Sequence, residues 1–261
     1  LRNSNSFIAR NTYIPNKFDK SLASAYIGVR RCGKTSVAIL NARTRFKEIC
    51  YVNFEDPYFV ENNNVMLLEA LAQAYKKIYG KKPELIILDE IHNIPYWERY
   101  ARKIIDTQSY FLMVTGSSAK MLSSEIATSL TGRCIETNIW PLSFEEFLFF
   151  TKKTCKKHND YSNALDQYLL IGGFPKKVLQ KDFETQTLLA REYLDDIVYK
   201  DMVQRFQIRD IGSLIKMIQY LLTNISSKHS FTSIKKAFGL DVVTAQDYAY
   251  YCEMAFLLFF V

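Results

Sequence analysis

The sequence predicts an α/β protein built on a doubly wound parallel sheet, with helical regions after it. Three observations predict this fold. A short apolar run at residues 25–27 leads into the glycine-containing segment 28–35. A second apolar run, 85–88, ends in the acids Asp89 and Glu90. Strand-like and helix-like segments alternate up to residue 140, which is the pattern of parallel strands joined by crossover helices.

Residues 28–35 have the pattern Gly-x-x-x-x-Gly-Lys-Thr of a phosphate-binding P-loop. Its glycines let backbone N–H groups approach phosphate oxygens closely, and Lys34 adds a mobile positive charge. The hydroxyl of Thr35 suits Mg²⁺, and the helix that continues from Ser36 directs its positive dipole end at an anion. We therefore predict that a nucleotide contacts eight residues: Gly28, Arg30, Arg31, Cys32, Gly33, Lys34, Thr35 and Ser36.

The run 85–88 is typical of a strand buried on both faces of a parallel sheet, whose carboxyl edge carries the site. With the two acids it forms a Walker B pattern, so the two motifs together predict a P-loop NTPase core that binds ATP or GTP. Asp89 is expected to order the hydration shell of Mg²⁺ jointly with Thr35. We predict that Lys34 and Glu90 are catalytic, with Glu90 as the base that orients the attacking water, a role worth about 10² to 10⁴ in rate. A solvated acid at a strand end is the alternative for Glu90.

The remaining core elements follow in order. Residues 48–54 are rich in β-forming side chains and stop before Pro57, which cannot continue strand pairing. Apolar positions at intervals of three and four predict an amphipathic helix from Val65 to Tyr79, closed by Gly80. Two further strands are predicted at 110–118 and 134–139.

Beyond residue 140 the apolar spacing favours helices. Ser143 and Glu146 have the spacing of a capping box. Residues 151–159 are predicted as a lysine-rich linker or exposed turn, and paired apolar positions predict a helix over 184–206. Three shorter helices, at 214–225, 232–238 and 244–257, outline a helix-turn-helix or winged-helix module. We therefore expect three domains: a core over 1–150, a helical lid over 151–211 and a winged-helix-like module over 212–261.

Composition narrows the class of protein. With 261 residues and 48% hydrophobic side chains, the chain can bury an NTPase core plus appendages, and a net charge of +7 favours polyanionic partners in general. Five scattered cysteines and three dispersed histidines indicate a reduced, intracellular protein without a zinc site. No apolar run approaches the roughly 20 residues that span a bilayer, so we expect no membrane partner and a cytoplasmic location. The start at leucine and the apolar run 255–261 predict a fragment of a longer protein.

Five ordered motifs resemble those of the prokaryotic AAA-like ATPases, related to the AAA and STAND classes, that are often paired with a DUF4143 C-terminal region. The likeness covers most of residues 7–261. It implies a nucleotide-dependent switch, in which ATP closes the helical lid over the core and hydrolysis resets it. The motifs are Gly-Val-Arg-Arg-Cys-Gly-Lys-Thr, Leu-Asp-Glu-Ile-His, Thr-Gly-Ser-Ser-Ala-Lys-Met-Leu, Leu-Thr-Gly-Arg and Trp-Pro-Leu-Ser-Phe-Glu-Glu-Phe.

The resemblance also implies roles outside the Walker motifs, with ATP or ADP and Mg²⁺ as ligands. Arg133 matches the arginine finger that acts on a neighbouring subunit, which implies a homo-oligomer; a lone structural arginine is the alternative. Thr115 and Ser117 match the sensor region that follows the fourth core strand. Pro175 matches a proline that packs on the adenine base, although a plain Gly-Gly turn explains the local sequence as well. Residues 8–13 fall where such proteins place a segment near the base.

The sequence is also compatible with other functions. The C-terminal module has basic residues near its second helix, which favours ATP-regulated nucleic-acid binding, but Thr244–Leu257 carries no lysine or arginine and suits a protein partner better. Asp89-Glu-Ile-His92 also resembles a helicase box, yet the helical pattern after residue 150 offers no second motor domain. A degenerate switch would bind ATP without hydrolysing it, and the intact Glu90 argues against that reading.

Overall fold

The computed structural model describes residues 8–10, 18–117 and 130–260. The chain divides into two compact units, Leu1–Gln186 and Thr187–Val261. Within the described ranges, no helix is both long enough and apolar enough to cross a membrane. The three-domain division at residues 150 and 211 stays a prediction.

A five-stranded sheet lies in the first unit, and every neighbouring pair of its strands runs parallel. The strands are β1 (Ala23–Ile27), β2 (Ile49–Asn53), β3 (Leu85–Asp89), β4 (Phe111–Gly116) and β5 (Cys134–Asn138). They stand side by side in the order β2-β3-β4-β1-β5. All five positions of β3 are buried, which explains its unbroken apolar run. The predicted parallel sheet is confirmed, and the carboxyl ends of all its strands meet at one edge.

Helices follow the strands and pack against them. Among the described residues, the first unit contains the helices α1 (Lys34–Arg43), α2 (Pro57–Glu61), α3 (Met66–Tyr79), α4 (Trp97–Thr107), α5 (Phe144–Phe150), α6 (His158–Ile171) and α7 (Pro175–Val178). Helix α1 packs against β1, β3 and β4, while α3 packs against β2 and α4. The predicted amphipathic helix is therefore α3, and Gly80 ends it in the left-handed conformation, with φ of 73°.

The capping box predicted at the start of α5 is present. The N–H of Glu146 donates to Ser143 Oγ at 3.2 Å, and the N–H of Ser143 donates to Glu146 Oε2 at 3.0 Å. Behind this cap lies a buried apolar cluster in which Phe147 packs with Leu142 and Val178. The cap and the cluster fix the point where the chain leaves the sheet and enters helices.

The two glycines before Phe174 are required for different reasons. Gly172 has φ of 80° and ψ of −174°, a conformation that is essentially restricted to glycine. Gly173 lies against the backbone of Leu142, whose N–H donates to the Gly173 carbonyl at 2.7 Å. A Cβ at Gly173 would lie 2.5 Å from the Leu142 carbonyl oxygen. The pair is therefore a close-packed joint between α6 and the segment that precedes α5.

The second unit is helical in its described part, Thr187–Phe260, which contains no strand. Its elements are the end of α8 (Phe183–Asp196), a π-helical turn (Ile197–Val203), α9 (Gln204–Phe206), α10 (Ile211–Thr223), α11 (Phe231–Phe238) and α12 (Val242–Met254). The helix predicted over 184–206 is present, with a π-helical turn that the apolar spacing does not predict. Helices α10, α11 and α12 pack against one another, so the three-helix arrangement is present. The winged-helix assignment is not confirmed.

We predict that Gly173→Ala lowers the free energy of unfolding by about 1–3 kcal/mol, because the added methyl overlaps a backbone carbonyl that cannot rotate away. Urea denaturation followed by circular dichroism measures this loss. Gly212→Ala is the control, since its Cβ would lie 3.7 Å from the nearest side-chain atom, an ordinary contact. Equal stability of Gly173→Ala and the wild type would contradict the close packing described here.

Candidate functional site

The P-loop connects β1 to α1 at the carboxyl edge of the sheet. A Cβ at Gly28 would overlap the carbonyl oxygen of Ile139, so this position admits only glycine. Cys32 Sγ donates to the same carbonyl at 3.0 Å, and the Cys32 side chain is completely buried. Gly33 precedes α1 in a left-handed conformation with φ of 101°. The side chain of Cys32 therefore packs in the interior, and the part of this residue that could contact a bound phosphate is its backbone.

Lys34 and Glu90 form a buried ion pair, with 3.3 Å between Lys34 Nζ and Glu90 Oε1. Lys34 Nζ also donates to the carbonyl oxygens of Gly28 and Val29, at 3.1 and 3.3 Å. Burial by itself disfavours the charged forms, but the opposite charges outweigh it. The pKa of Lys34 is therefore raised, and Lys34, His92 and Arg30 lower the pKa of Glu90 to about 2. Both groups are charged throughout the neutral range.

Asp89, at the end of β3, accepts hydrogen bonds from hydroxyls on three other elements. Thr35 Oγ1 lies 3.0 and 2.9 Å from the two carboxylate oxygens of Asp89. Tyr51 on β2 donates to Asp89 Oδ2 at 2.8 Å, and Thr115 on β4 donates to Oδ1. Burial raises the pKa of Asp89, although the hydroxyl donors oppose the rise. The neighbouring oxygens of Thr35 and Asp89 form a hard donor set that fits Mg²⁺.

Glu90 is fixed by the backbone around it. Its φ of 51° is unusual for a residue other than glycine, and strain of this kind clusters at functional sites. Its N–H donates to Thr115 Oγ1 at 3.0 Å, and its Oε2 accepts from the N–H of Ser117 at 2.9 Å. His92 Nδ1 lies 3.4 Å from the same oxygen. Thr115 thus contacts both acids, whereas Ser117 holds Glu90 through its backbone.

The two arginines of the P-loop differ in environment. Arg30 is buried, and its guanidinium pairs with the carboxylate of Glu55 just after β2. Arg31 is exposed and has φ of 68°. Ser36 lies in the first turn of α1. The loop therefore presents one restrained and one exposed guanidinium.

Arg133 lies at the amino ends of the strands, whereas the P-loop lies at their carboxyl ends. Its carbonyl accepts from the N–H of Ala23, the first residue of β1, at 2.8 Å. Its guanidinium pairs with Asp106 near the end of α4. A five-residue strand is about 16 Å long. Arg133 therefore cannot reach the P-loop of its own chain.

Pro175 begins α7 beside the P-loop. A Cβ built on Gly33 would lie 3.6 Å from Pro175 Cγ. Pro175 therefore lies next to the P-loop, and its packing on an adenine base stays a prediction. Ser118, Ala119–Leu122 and residues 11–13 of the predicted motifs lie outside the described residues.

Three residues of the site escape prediction from sequence. Tyr51 contacts Asp89 only because β2 lies beside β3. Arg10 and Glu146 form an ion pair at 2.7 Å whose guanidinium also contacts the P-loop backbone. The capping box was the only signal for Glu146, and Arg10 was marked only as a member of the range 8–13 that the resemblance places near the base. The described residues contain no cluster of three or more His, Cys, Asp or Glu that could hold a metal by themselves.

Comparison with known proteins agrees with this geometry. Residues 21–148 match a family described as an AAA domain, and residues 162–261 match a domain of unknown function, DUF8612. A DUF4143 region is not shown. A Walker-type ATPase of Pyrococcus abyssi has the same fold, with a TM-score of 0.58, 11% identity, and coverage of 89% of this chain and 84% of that one. The parallel sheet and the P-loop agree with the match of residues 21–148 to an AAA domain.

Two uncharacterized proteins are relatives in sequence. One, from Methanocaldococcus jannaschii, is 36% identical over 236 residues, which cover 87% of this chain and 50% of the relative. Another, from Haemophilus influenzae, is 28% identical over 276 residues, which cover 98% of this chain and 67% of the relative. The chain spans about half the length of the first of these relatives.

The pH dependence of stability provides a test of the buried pair. The pKa of Glu90 is about 2 in the folded chain against an ordinary value near 4.5, so the pair stabilises fully above pH 4.5 and loses its contribution as the pH falls toward 2. We predict that Glu90→Gln lowers stability by about 3–5 kcal/mol at pH 7, because Lys34 stays buried without its counter-charge. Differential scanning fluorimetry between pH 7 and 3 should show the deficit shrinking below pH 4.5.

The exposed Glu61→Gln is the control and should change stability by less than about 0.5 kcal/mol at every pH. A deficit that is independent of pH would contradict the ion pair.

Proposed function

We propose that this chain binds ATP with Mg²⁺ at the carboxyl edge of the sheet and hydrolyses it. The observation that carries the proposal is the convergence of the Lys34 ammonium, the Thr35 hydroxyl and the carboxylates of Asp89 and Glu90 at one edge. Each is a separate requirement of phosphoryl transfer, and AAA-like ATPases combine them. The comparisons support the class of protein, while turnover itself is our proposal.

In this proposal ATP binding breaks the buried ion pair between Lys34 and Glu90. Lys34 exchanges Glu90 for the outer phosphates, and Glu90 is then available to accept a proton from the attacking water. Thr35 and Asp89 would hold Mg²⁺, which supplies neutralising charge at the phosphate oxygens when bound. The Thr115 hydroxyl, which contacts both the Asp89 carboxylate and the Glu90 N–H, holds these two acids in a fixed arrangement.

We further propose a switch, with the helical residues 151–211 as a lid and Pro175 packing on the base. Residues 212–261 are then the module that passes the nucleotide state to a partner. Nucleic-acid binding by this module is the second candidate, and its charges give it little support. Lys235 lies 3.6 Å from the Asp241 carboxylate, and α12 carries Asp247 and Glu253 but no basic residue. A protein partner suits this surface better.

The first test separates binding from turnover. Lys34→Ala should weaken ATP binding at least tenfold, because no other ammonium lies at the P-loop carbonyls in the described chain. Glu90→Gln should bind ATP at least as tightly as the wild type, because Lys34 then has no carboxylate to exchange for the phosphates, and it should lose about 10²- to 10⁴-fold in turnover. Isothermal titration calorimetry and phosphate release measure the two effects. Lys77→Ala, at an exposed position on α3, is the matched control. Unchanged affinity of Lys34→Ala for ATP would overturn the assignment.

The second test concerns Arg133, which we propose as an arginine finger acting on a neighbouring subunit. Arg133→Ala and Glu90→Gln should each be inactive alone, since one lacks the finger and the other the base. Mixing them should restore activity, because a Glu90→Gln subunit still offers Arg133 to the intact site of its neighbour. Arg102→Ala is the control, since Arg102 also pairs with Asp106, at 3.6 Å. No recovery on mixing, or equal loss in Arg102→Ala, would contradict a finger at Arg133.

A further inference from the structure

Arg10 is a buried arginine that joins three separated parts of the first unit. Its guanidinium makes a two-pronged contact with Glu146, at 2.9 Å from Nε to Oε1 and 2.7 Å from Nη2 to Oε2. Nη1 donates to the carbonyl oxygens of Trp140 at 2.8 Å and of Cys32 at 3.0 Å. The Arg10 and Glu146 side chains are only 5% and 7% exposed. A guanidinium suits this position because it is planar and offers five N–H donors.

The contact with Cys32 matters because of peptide geometry. The carbonyl of Cys32 and the N–H of Gly33 belong to one peptide group, and no cis peptide bond occurs in the described chain. In a trans peptide the C=O and the N–H point in opposite directions. A donor that holds the Cys32 oxygen therefore directs the Gly33 N–H the other way. Gly33 has no Cβ, so its backbone has more freedom than that of other residues and an external restraint has more effect on it. Its φ of 101° is a conformation that other residues rarely adopt.

We infer that Arg10 is a positioning residue for the phosphate-binding loop: it holds the Cys32 carbonyl so that the Gly33 N–H stays directed at a bound phosphate. The inference rests on the proposed nucleotide site. It adds to that site a residue that lies outside the Walker motifs in the sequence. Glu146 has a supporting part, because it fixes the guanidinium while its own position is fixed by the capping box with Ser143. Arg10 thereby links the segment before β1, the P-loop and α5.

The test must separate loop positioning from stability. Arg10→Gln removes the contact with Cys32 and leaves Glu146 buried without a counter-charge, so it should destabilise the chain. Glu146→Gln breaks the same ion pair but keeps Arg10 beside the Cys32 carbonyl, and glutamine still supports a capping box. The double variant Arg10→Gln/Glu146→Gln removes both charges and should recover much of the lost stability.

Two measurements follow on the full chain. Calorimetry with ATP and Mg²⁺ should give at least a tenfold weaker Kd for Arg10→Gln and for the double variant, and a smaller loss for Glu146→Gln, which keeps the guanidinium. Lys77→Ala, at an exposed position on α3, is the control and should keep the wild-type Kd. Nuclear magnetic resonance of chain labelled with ¹⁵N-glycine, which has nine glycines, reports the Gly33 amide without any nucleotide. That signal should shift in both variants that lack Arg10, shift less in Glu146→Gln and stay in place in Lys77→Ala.

The outcomes separate the two ideas. Wild-type ATP affinity in the double variant, or an unmoved Gly33 signal, would overturn the role of Arg10 while leaving the ATP site intact. Absence of ATP binding by the wild type would overturn the proposed function instead, and the Gly33 signal would then still decide whether Arg10 orients the loop. An equal loss of affinity in Glu146→Gln would show that the ion pair acts only through stability.

Discussion

The buried pair of Lys34 and Glu90 is the interaction on which the site depends. Neither charge is stable alone in the interior, because removal from water costs several kcal/mol per ion. Each is therefore paired with the other and held by backbone groups, Lys34 by the Gly28 and Val29 carbonyls and Glu90 by the Ser117 N–H. The same cost means that any group that replaced Glu90 beside Lys34 would have to be an anion, which is consistent with the proposed phosphate site.

The other polar groups at this edge follow the same constraint. The carboxylate of Asp89, one residue before Glu90, accepts from three hydroxyls. They come from β2 and β4, which flank β3 in the sheet, and from α1, which packs against β3 and β4. The order of the strands thus determines which side chains hold the acid.

Much of the fold was predictable because it depends on short local sequence patterns. The apolar run at 85–88, the P-loop and the capping box at Ser143 each depend on residues a few positions apart, and each is present. The π-helical turn at Ile197–Val203 was not predictable, since apolar spacing does not distinguish it from an α-helix. The two glycines at 172 and 173 read as a turn in the sequence, and only packing against Leu142 explains the second of them.

Local sequence therefore established the Walker residues Lys34, Thr35, Asp89 and Glu90, since a P-loop and a buried strand are short continuous segments. Folding decided what these residues contact. Tyr51 reaches Asp89 across a strand pair, and Arg10 reaches Glu146 across 136 positions of sequence. Arg133 is separated from its own P-loop by the length of a strand, and its guanidinium pairs with Asp106 instead. Contacts of this kind depend on strand order and direction, which no short segment contains.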